Sequence, residues 1–170
     1  MNTLRHTMVI VGEVRGDLLD AEENYIAQQC NCVTVRAHGL SKSLAQRFPH
    51  GDVYGDRSKK SGNTAQEPDT PGSVVVTEHD GEPVLLHLMA QWTPSKPGSY
   101  NRHYPQTYKD TRANREAWFM ECLEILEQIV PESEIVAMPY CIGCGLAGGN
   151  WQKYREMLEK CNTKIKLYRI

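Results

Sequence analysis

A glycine-rich segment near the end of the chain, Val136 to Trp151 (VAMPYCIGCGLAGGNW), constrains the fold more than any other part of the sequence. Gly143, Gly145 and Gly148 have the spacing G-x-G-x-x-G, and the segment joins a buried strand pattern to a helix that Asn150 can cap. Open α/β sheets bind ligands at strand-to-helix loops, and glycines let the main chain approach a phosphate group closely. The sequence therefore predicts an α/β fold with a phosphate-binding loop here, rather than a simple tight turn.

The context of this loop argues against two familiar phosphate sites. A dinucleotide-binding fold needs an acidic residue roughly twenty residues further on, on a second strand with more sheet to follow, and only one helix and one strand pattern follow here. A phosphatase loop with a cysteine nucleophile needs an arginine close behind it. The first arginine after Cys141 or Cys144 is Arg155, inside the predicted helix. We therefore expect the phosphate to be held by main-chain N–H groups.

Alternating strand and helix patterns fill the rest of the chain. Strands are predicted over residues 7–14, 24–31, 134–140 and 163–170, and a pair of strands over 72–92 around the turn 79–82. Helices are predicted over residues 39–48, 112–130 and 151–161. Two polar stretches rich in glycine and proline, residues 49–72 and 93–109, read as long loops. The alternation predicts one α/β domain over residues 1–170, with helices on both sides of a mixed sheet.

Composition limits the classes of function. The formal net charge is −2, so we expect no general nucleic-acid binding. No apolar run is long enough to span a bilayer, and the first residues lack an export signal. We therefore expect no membrane association and a cytoplasmic protein, or a nuclear one in a eukaryotic or viral setting. Its six cysteines are expected to be reduced, and nothing in the sequence demands more than a monomer.

A second strand-to-helix loop, residues 28–41, is a natural partner for the glycine loop. Asn31 ends a strand pattern, and its amide can hydrogen-bond a ribose hydroxyl. The segment at His38 and Gly39 can fold over a second phosphate group. Asp17 follows the first strand pattern in the same way. Two such loops on neighbouring strands would hold a diphosphate between them.

These motifs together resemble those of the macrodomain family, whose members bind ADP-ribose. The matching motifs span nearly the whole chain: VRGDLL, CNC, HGLSKSLAQRFP, MPYCIGCGLAGGNWQKYREMLE and IKLYRI. The glycine loop is similar to that of the terminal ADP-ribose protein glycohydrolase branch. The section from CNC to RFP is closer to the yeast-type ADP-ribose 1''-phosphate phosphatase branch. The resemblance implies a three-layer α/β/α fold with a central mixed six-stranded sheet.

The resemblance also implies a role for each matching residue. Asp17 would accept a hydrogen bond from the adenine amino group, and Leu18 would donate its main-chain N–H to the ring. Asn31 would face the distal ribose, together with the loop of His38, Gly39 and Leu40. The diphosphate would be held by main-chain N–H groups of Ile142, Gly143, Cys144, Gly145, Leu146 and Ala147. The resemblance implies neither a metal nor a cofactor.

Three positions depart from the family's catalytic residues. Ala147 stands where the glycohydrolase branch has an acidic residue, Gln91 falls near its catalytic lysine, and Gln28 replaces the histidine of the phosphatase branch. A lysyl adduct is therefore not expected. Hydrolysis would instead use a water held between the ligand's own phosphate and the distal ribose. Asn31 would orient the ribose, and His38 would transfer a proton, because imidazole is the side chain that titrates near neutral pH.

The sequence thus predicts a protein that binds ADP-ribose, or a substrate carrying ADP-ribose on a small molecule, a protein or a nucleic-acid end. The leading hypothesis is a hydrolase that removes a 1''-phosphate, an acyl ester or an ADP-ribosyl attachment from the distal ribose. The alternative is a non-catalytic reader of ADP-ribose.

Other patterns carry weaker hypotheses. Cys30-x-Cys32 and Cys141-x-x-Cys144 could together ligate zinc, and Cys144 alone could be a reactive thiol. Six further side chains could contact a substrate, although turn, solvent or core positions are simpler for them: Asp52, Asp56, Arg57, Arg112, Trp92 with the loop behind it, and His87. Tyr140 and Tyr168 are candidates for packing near the adenine or the ribose.

Overall fold

The computed structural model describes residues 10–99, 101–145 and 147–170. The strands are β1 (Ile10–Arg15), β2 (Tyr25–Asn31), β3 (Lys59–Ser61), β4 (Thr64–Ala65), β5 (Val74–Thr77), β6 (Val84–Gln91), β7 (Ile135–Pro139) and β8 (Lys164–Arg169). The helices are α1 (Gly39–Arg47), α2 (Arg112–Ile129) and α3 (Trp151–Lys160). Short 3₁₀ turns cover Leu18–Asp20 and Pro49–Gly51. The start of the first predicted strand, residues 7–9, lies outside the described residues.

Six strands form one mixed sheet in the order β1-β8-β7-β2-β6-β5. The first five are parallel, and β5 pairs with β6 in the antiparallel sense. The predicted mixed six-stranded sheet is confirmed, and so is the hairpin within residues 72–92. Because five strands are parallel, their carboxyl ends lie along a single edge of the sheet, and the loops that follow them are neighbours.

The central strands are buried on both faces because helices cover each side. Leu44 of α1 packs on one face in a small cluster with Ile26 and Leu85. On the other face, α2 and α3 contribute to a larger core. There the ring centroids of Phe119 and Tyr154 are 4.7 Å apart. This arrangement is the predicted three-layer α/β/α fold. No described helix is long and apolar enough to cross a membrane.

Capping residues set the starts of the two long helices. Thr111 accepts a hydrogen bond from the N–H of Asn114 at 3.0 Å, and Asn150 accepts one from Lys153 at 3.4 Å. The cap at Asn150 was expected from the sequence. Asn150 directly follows the glycine loop, so it fixes the point where that loop becomes α3.

The prediction of one structureless loop over residues 49–72 is wrong. This segment contains the 3₁₀ turn and a separate antiparallel pair, β3 with β4. Gly62 lies between these strands with φ +52°, a conformation that glycine adopts without strain. Strands of two and three residues are too short to show a periodic apolar pattern, so sequence patterns could not predict them. The second predicted loop, residues 93–109, contains no helix or strand in its described part.

Candidate functional site

The carboxyl ends of β7, β2 and β6 open into a cleft of about 510 Å³. β2 lies between the other two strands, which makes the loops after β2 and β7 neighbours. Nine of the twelve predicted binding residues line this cleft: Asn31, His38, Gly39, Leu40, Ile142, Gly143, Cys144, Gly145 and Ala147. The structure therefore brings the two predicted loops together at one site. Leu146 lies outside the described residues.

The glycine loop makes some of its own hydrogen bonds and leaves other N–H groups open. The N–H of Ile142 donates to the carbonyl of Pro139 at 3.1 Å, and that of Cys144 donates to Cys141 at 2.9 Å. The N–H groups of Gly143, Gly145 and Ala147 have no acceptor among the described residues. Alternate N–H groups of the loop are thus available to an anion.

Gly143 is required by its surroundings. Its φ is +76°, and a Cβ there would lie 2.7 Å from both Oε1 of Gln29 and the ring of Tyr154. Gly145 differs, because a Cβ there would meet no described atom within 4 Å. The first glycine of the motif therefore serves the packing of the loop against β2 and α3. The second leaves space at the cleft surface.

A buried arginine that the sequence did not single out anchors this loop. Arg115, in the first turn of α2, is only 2% exposed. Its guanidinium donates to the carbonyls of Ala147 at 3.0 Å and Ser95 at 2.6 Å, and it forms an ion pair with Asp110. Burial alone would raise the pKa of Asp110, but hydrogen bonds from Arg115 and Thr93 outweigh it and lower that pKa. The glycine loop and the loop after β6 are thus joined by one neutralised cation.

A second buried arginine holds the loop after β2. Arg57 was expected at a terminal phosphate or in solvent, and both expectations are wrong, because its side chain is only 6% exposed. It donates to the carbonyls of Asn31 and Thr34, each at 2.7 Å, and forms an ion pair with Asp69 at 2.8 Å. All of its charge is therefore used inside the protein.

Asn31 is held firmly at the bottom of the cleft. Its Oδ1 accepts three hydrogen bonds, from the N–H groups of Val33 and Thr34 at 3.0 Å and from the Thr34 hydroxyl at 3.1 Å. These donors fix the orientation of the amide, so Nδ2 points towards Tyr54, whose hydroxyl lies 3.4 Å away. Asn31 can offer a ligand an N–H donor, whereas its oxygen is fully used.

The first turn of α1 forms another part of the cleft wall. His38 is the N-cap residue of α1, is exposed, and makes no capping hydrogen bond with its side chain. The N–H groups of Gly39, Leu40 and Ser41 have no acceptor among the described residues, as expected for a free helix start. Arg36 also lines the cleft, is exposed, and forms no ion pair with any described residue.

A chain of buried polar side chains runs from the cleft wall to β5. The hydroxyl of Ser41 donates to Gln28 at 2.6 Å, Nε2 of Gln28 donates to Nδ1 of His87 at 3.0 Å, and the other ring nitrogen lies 2.9 Å from the hydroxyl of Thr77. Burial, together with the nearby charges of Arg57 and His50, lowers the pKa of His87 to about 4. His87 is therefore neutral and buried in the sheet. This agrees with the expectation of a core position rather than a substrate contact.

Gln91 lies in the cleft where the glycohydrolase branch would place its lysine, but its amide is already bound. Its Oε1 accepts from Gln29 at 2.8 Å, and its Nε2 donates to the carbonyl of Thr93 at 2.8 Å. Oε1 of Gln29 is buried and accepts no hydrogen bond from the described residues. The amide of Gln91 thus links Gln29 of β2 to the loop after β6 by hydrogen bonds.

Asp17 and Leu18 lie apart from the nine residues of the cleft. They follow β1, at the same edge of the sheet but with β8 between β1 and β7. The carboxylate of Asp17 accepts from the N–H of Leu19 at 2.9 Å, and Leu18 is buried against the α1 side of the sheet. An adenine at Asp17 would therefore lie beyond the cleft, over the ends of β1 and β8.

Two tyrosines occupy the surface between these places. The ring of Tyr140 lies 5.0 Å from that of Trp151, with the guanidinium of Arg169 at 4.5 Å. The ring of Tyr168 lies against Gly16, and its hydroxyl is hydrogen-bonded to Glu23. Burial, with that carboxylate as a second cause, raises the pKa of Tyr168 to about 12. Both rings flank the path from the cleft to Asp17.

The remaining candidates take structural positions. Asp52 accepts from the N–H of Gly55 at 3.0 Å, as an ordinary turn carboxylate does, and Arg112 is exposed, 3.3 Å from the carbonyl of Gly148. Trp92 was expected to lie at the surface, either against a larger substrate or in an ordinary surface loop, but it is only 3% exposed and donates to the carbonyl of Pro105 at 2.7 Å. That expectation is wrong. Tyr104, further along the same loop, lines the cleft instead.

The cysteines do not form the zinc site that their spacing allowed. Among the described residues, no three His, Cys, Asp or Glu side chains are gathered closely enough to ligate a metal. Cys30 and Cys32 are buried, whereas Cys141 and Cys144 line the cleft. Burial raises the pKa of Cys144 to about 12, helped by the neighbouring Cys141, which leaves it a protonated and poorly nucleophilic thiol.

Solved structures share this fold, whereas no protein-family model matches the sequence and no curated protein is similar to it in sequence. A Bacteroides thetaiotaomicron protein of unknown function superposes with TM-score 0.65 at 18% identity, over 95% of this chain and 99% of that one. The macrodomain of Mycobacterium tuberculosis DarG gives 0.61 at 18% identity, over 91% and 94%. Thermosipho africanus DarTG in complex with ADP-ribose gives 0.58 at 16% identity, over 93% of this chain and 41% of that one. The chain therefore has the macrodomain fold.

Proposed function

We propose that this chain, which has the macrodomain fold, binds ADP-ribose in the cleft and hydrolyses a group attached to the distal ribose. The observation that carries the proposal is the set of open N–H groups on two neighbouring loops. Those of Gly143, Gly145 and Ala147 lie on one wall, and the first turn of α1 lies on the other. Such groups bind phosphate oxygens without needing a cationic side chain.

The fold supports ADP-ribose as the ligand. Thermosipho africanus DarTG, which shares this fold, is described in complex with ADP-ribose. In this chain the diphosphate would lie on the glycine loop, the distal ribose beside Asn31, and the adenine towards Asp17. The tyrosine rings at positions 140 and 168 would lie along the adenosine half of the ligand.

Hydrolysis would proceed without a protein nucleophile. Gln91 has no amine to form an adduct, and the Cys144 thiol stays protonated. A water positioned by the ligand's own phosphate would attack the distal ribose, with orientation supplying most of the rate. The amide of Asn31 would hold the sugar, and His38 would carry the proton that is transferred.

The charge of the cleft favours an anionic leaving group. Arg36, at the wall formed by the loop after β2, is a cation that forms no ion pair with any residue the structure describes. Of the three candidate groups on the distal ribose, a 1''-phosphate would gain most from it, because guanidinium binds phosphate through two parallel hydrogen bonds. An acyl ester or an ADP-ribosyl linkage would gain less.

A non-catalytic reader is the second candidate, and one observation favours it. The polar side chains of Asn31 and Gln91 make most of their hydrogen bonds with other groups of the protein. A site built from such side chains is rigid and suits binding. Of the two catalytic candidates proposed from the sequence, Asn31 and His38, His38 is the one that would transfer a proton.

A turnover assay separates the two candidates. The protein would be incubated with ADP-ribose 1''-phosphate, O-acetyl-ADP-ribose, ADP-ribosylated protein and ADP-ribosylated DNA, and products followed by chromatography. Release of phosphate that falls at least tenfold in Arg36→Ala and in His38→Ala supports the hydrolase. Calorimetric binding of ADP-ribose with no turnover of any substrate supports the reader. Absence of binding to ADP-ribose contradicts both.

A further inference from the structure

Tyr54 lines the cleft beside Asn31, and no role above makes use of it. It follows the 3₁₀ turn Pro49–Gly51, and its side chain is 5% exposed. The guanidinium of Arg57 lies 4.8 Å from the centre of its ring. Since Arg57 also holds the carbonyl of Asn31, the ring cannot move without disturbing the end of β2.

The hydroxyl of Tyr54 has a proton left to donate. Its oxygen accepts from the N–H of Asn31 at 2.9 Å and from Nδ2 of the same residue at 3.4 Å. A phenol has two lone pairs and one proton, so both lone pairs are occupied. Among the described residues, the one partner left for the proton is the Cys30 thiol, which forms a side-chain hydrogen bond with Tyr54. Neutral sulfur is a weak acceptor, so a sugar oxygen can take the proton in its place.

The surroundings keep this proton on the oxygen. Burial raises the pKa of Tyr54 well above its ordinary value, so the phenol is neutral over the physiological range. The Cys30 thiol also lies beside the hydroxyl. Burial raises the pKa of Cys30 to about 12, so its sulfur stays a neutral thiol and a weak acceptor.

Asn31 adds a second donor at the same place. Its Oδ1 is used by three donors from the protein, so only Nδ2 remains for a ligand, and one of the two Nδ2 protons has no acceptor among the described residues. Tyr54 and Asn31 therefore present two donors side by side at this end of the cleft. The group that fits there is an uncharged oxygen that can accept two hydrogen bonds, such as a sugar hydroxyl or ring oxygen.

We propose that Tyr54 determines specificity for the distal ribose, by donating a hydrogen bond from its hydroxyl to an oxygen of that sugar. The inference rests on the proposed function, because it takes the cleft to hold ADP-ribose with the distal sugar beside Asn31. ADP carries the same adenosine and diphosphate but lacks this sugar. The contact therefore separates ADP-ribose from ADP.

Calorimetry with both ligands tests the proposal. Affinities for ADP-ribose and ADP would be measured for the unmodified protein, for Tyr54→Phe and for Tyr25→Phe. Tyr25 begins β2 at the opposite end of the same strand, so it serves as a matched control. Tyr54→Phe should weaken ADP-ribose binding roughly tenfold and leave ADP binding unchanged, whereas Tyr25→Phe should change neither.

The outcomes that overturn the proposal are distinct. Equal losses for both ligands in Tyr54→Phe would mean that the hydroxyl only supports the fold, and no loss would mean that the contact is not made. If Tyr54→Phe fails to fold, the unmodified protein still decides, because equal affinity for ADP-ribose and ADP contradicts any distal-ribose contact. An unmodified protein that binds neither ligand contradicts the proposed function itself.

Discussion

Arg115 and Asp110 form a buried ion pair behind the glycine loop, with Nε of the arginine 2.6 Å from Oδ1 of the aspartate. The same guanidinium donates to the carbonyls of Ala147 and Ser95, and the same carboxylate accepts from Thr93. One pair thus joins the glycine loop to the loop after β6. A second pair, Arg57 with Asp69, holds the loop after β2. The two pairs together explain how a cleft made of glycines and turns keeps a fixed shape.

Removing this arginine should destabilise the protein strongly. Arg115→Ala leaves the carboxylate of Asp110 buried without its partner, and breaking a buried pair in this way costs about 3–5 kcal/mol. Urea unfolding measures the change. Arg155→Ala, which removes partly exposed pairs with Glu13 and Glu159, is the matched control and should cost less than about 1 kcal/mol. Similar losses for the two variants would contradict the anchoring role of Arg115.

The buried histidine predicts how stability depends on pH. Burial lowers the pKa of His87 to about 4 in the folded protein, against an ordinary pKa of 6.5 for histidine. Between these values the unfolded chain binds more protons than the folded one, so the free energy of unfolding should fall as pH drops from 6.5 to 4. The expected loss is about 3 kcal/mol.

An NMR titration and urea unfolding at several pH values check this dependence. The ring of His87 should titrate near pH 4, and His87→Gln should flatten the stability curve between pH 6.5 and 4. His103→Gln, a substitution of an exposed histidine, should leave the curve unchanged. A His87 ring that titrates near 6.5 would show that the chain from Ser41 to Thr77 does not hold it neutral.

Much of this architecture follows from sequence patterns that are local. The strand before the glycine loop, the capping Asn150 and the hairpin around residues 79–82 depend on neighbouring residues, so their patterns predict them. Arg115 left a usable signal as well. It lies three residues before Trp118 and seven before Cys122, which share the apolar stripe of α2, so extending the stripe one turn back from Trp118 places it in the core.

Other features depend on contacts distant in sequence. Trp92 is buried because Pro105 takes its N–H, and Arg57 is buried because it meets Asp69 and two carbonyls of the loop after β2. Patterns of neighbouring residues in the sequence do not indicate partners that lie so far away along the chain. Tyr54 lay in a polar stretch of residues, and its meeting with Asn31 appears only when the turn is placed against β2.

The two glycines of the motif should respond differently to alanine. Gly143→Ala places a Cβ 2.7 Å from Gln29 and Tyr154 at a φ of +76°, so it should cost roughly 1–3 kcal/mol of stability. Gly145→Ala meets no described atom within 4 Å and should stay within about 0.5 kcal/mol of the unmodified protein. Thermal unfolding measures both. Equal tolerance of the two substitutions would show that the loop adjusts freely.

The adenine position remains a prediction from the sequence, and Asp17 tests it. ADP and IDP differ at the base, where an amino group is replaced by a carbonyl oxygen. If Asp17 accepts from that amino group, the protein should prefer ADP by roughly tenfold, and Asp17→Ala should abolish the preference. Asp20→Ala, an exposed neighbour in the same turn, should retain it. Unchanged preference in Asp17→Ala would place the adenine elsewhere.

The central claim is that open main-chain N–H groups of the glycine loop bind the diphosphate. The most direct measurement is an ¹⁵N NMR titration of the labelled protein with ADP-ribose, which reports each N–H separately. Saturable shifts are expected for Gly143, Gly145 and Ala147, whose N–H groups have no acceptor among the described residues, and none at the far end of α3. Saturable binding that leaves these three amides unmoved would contradict it.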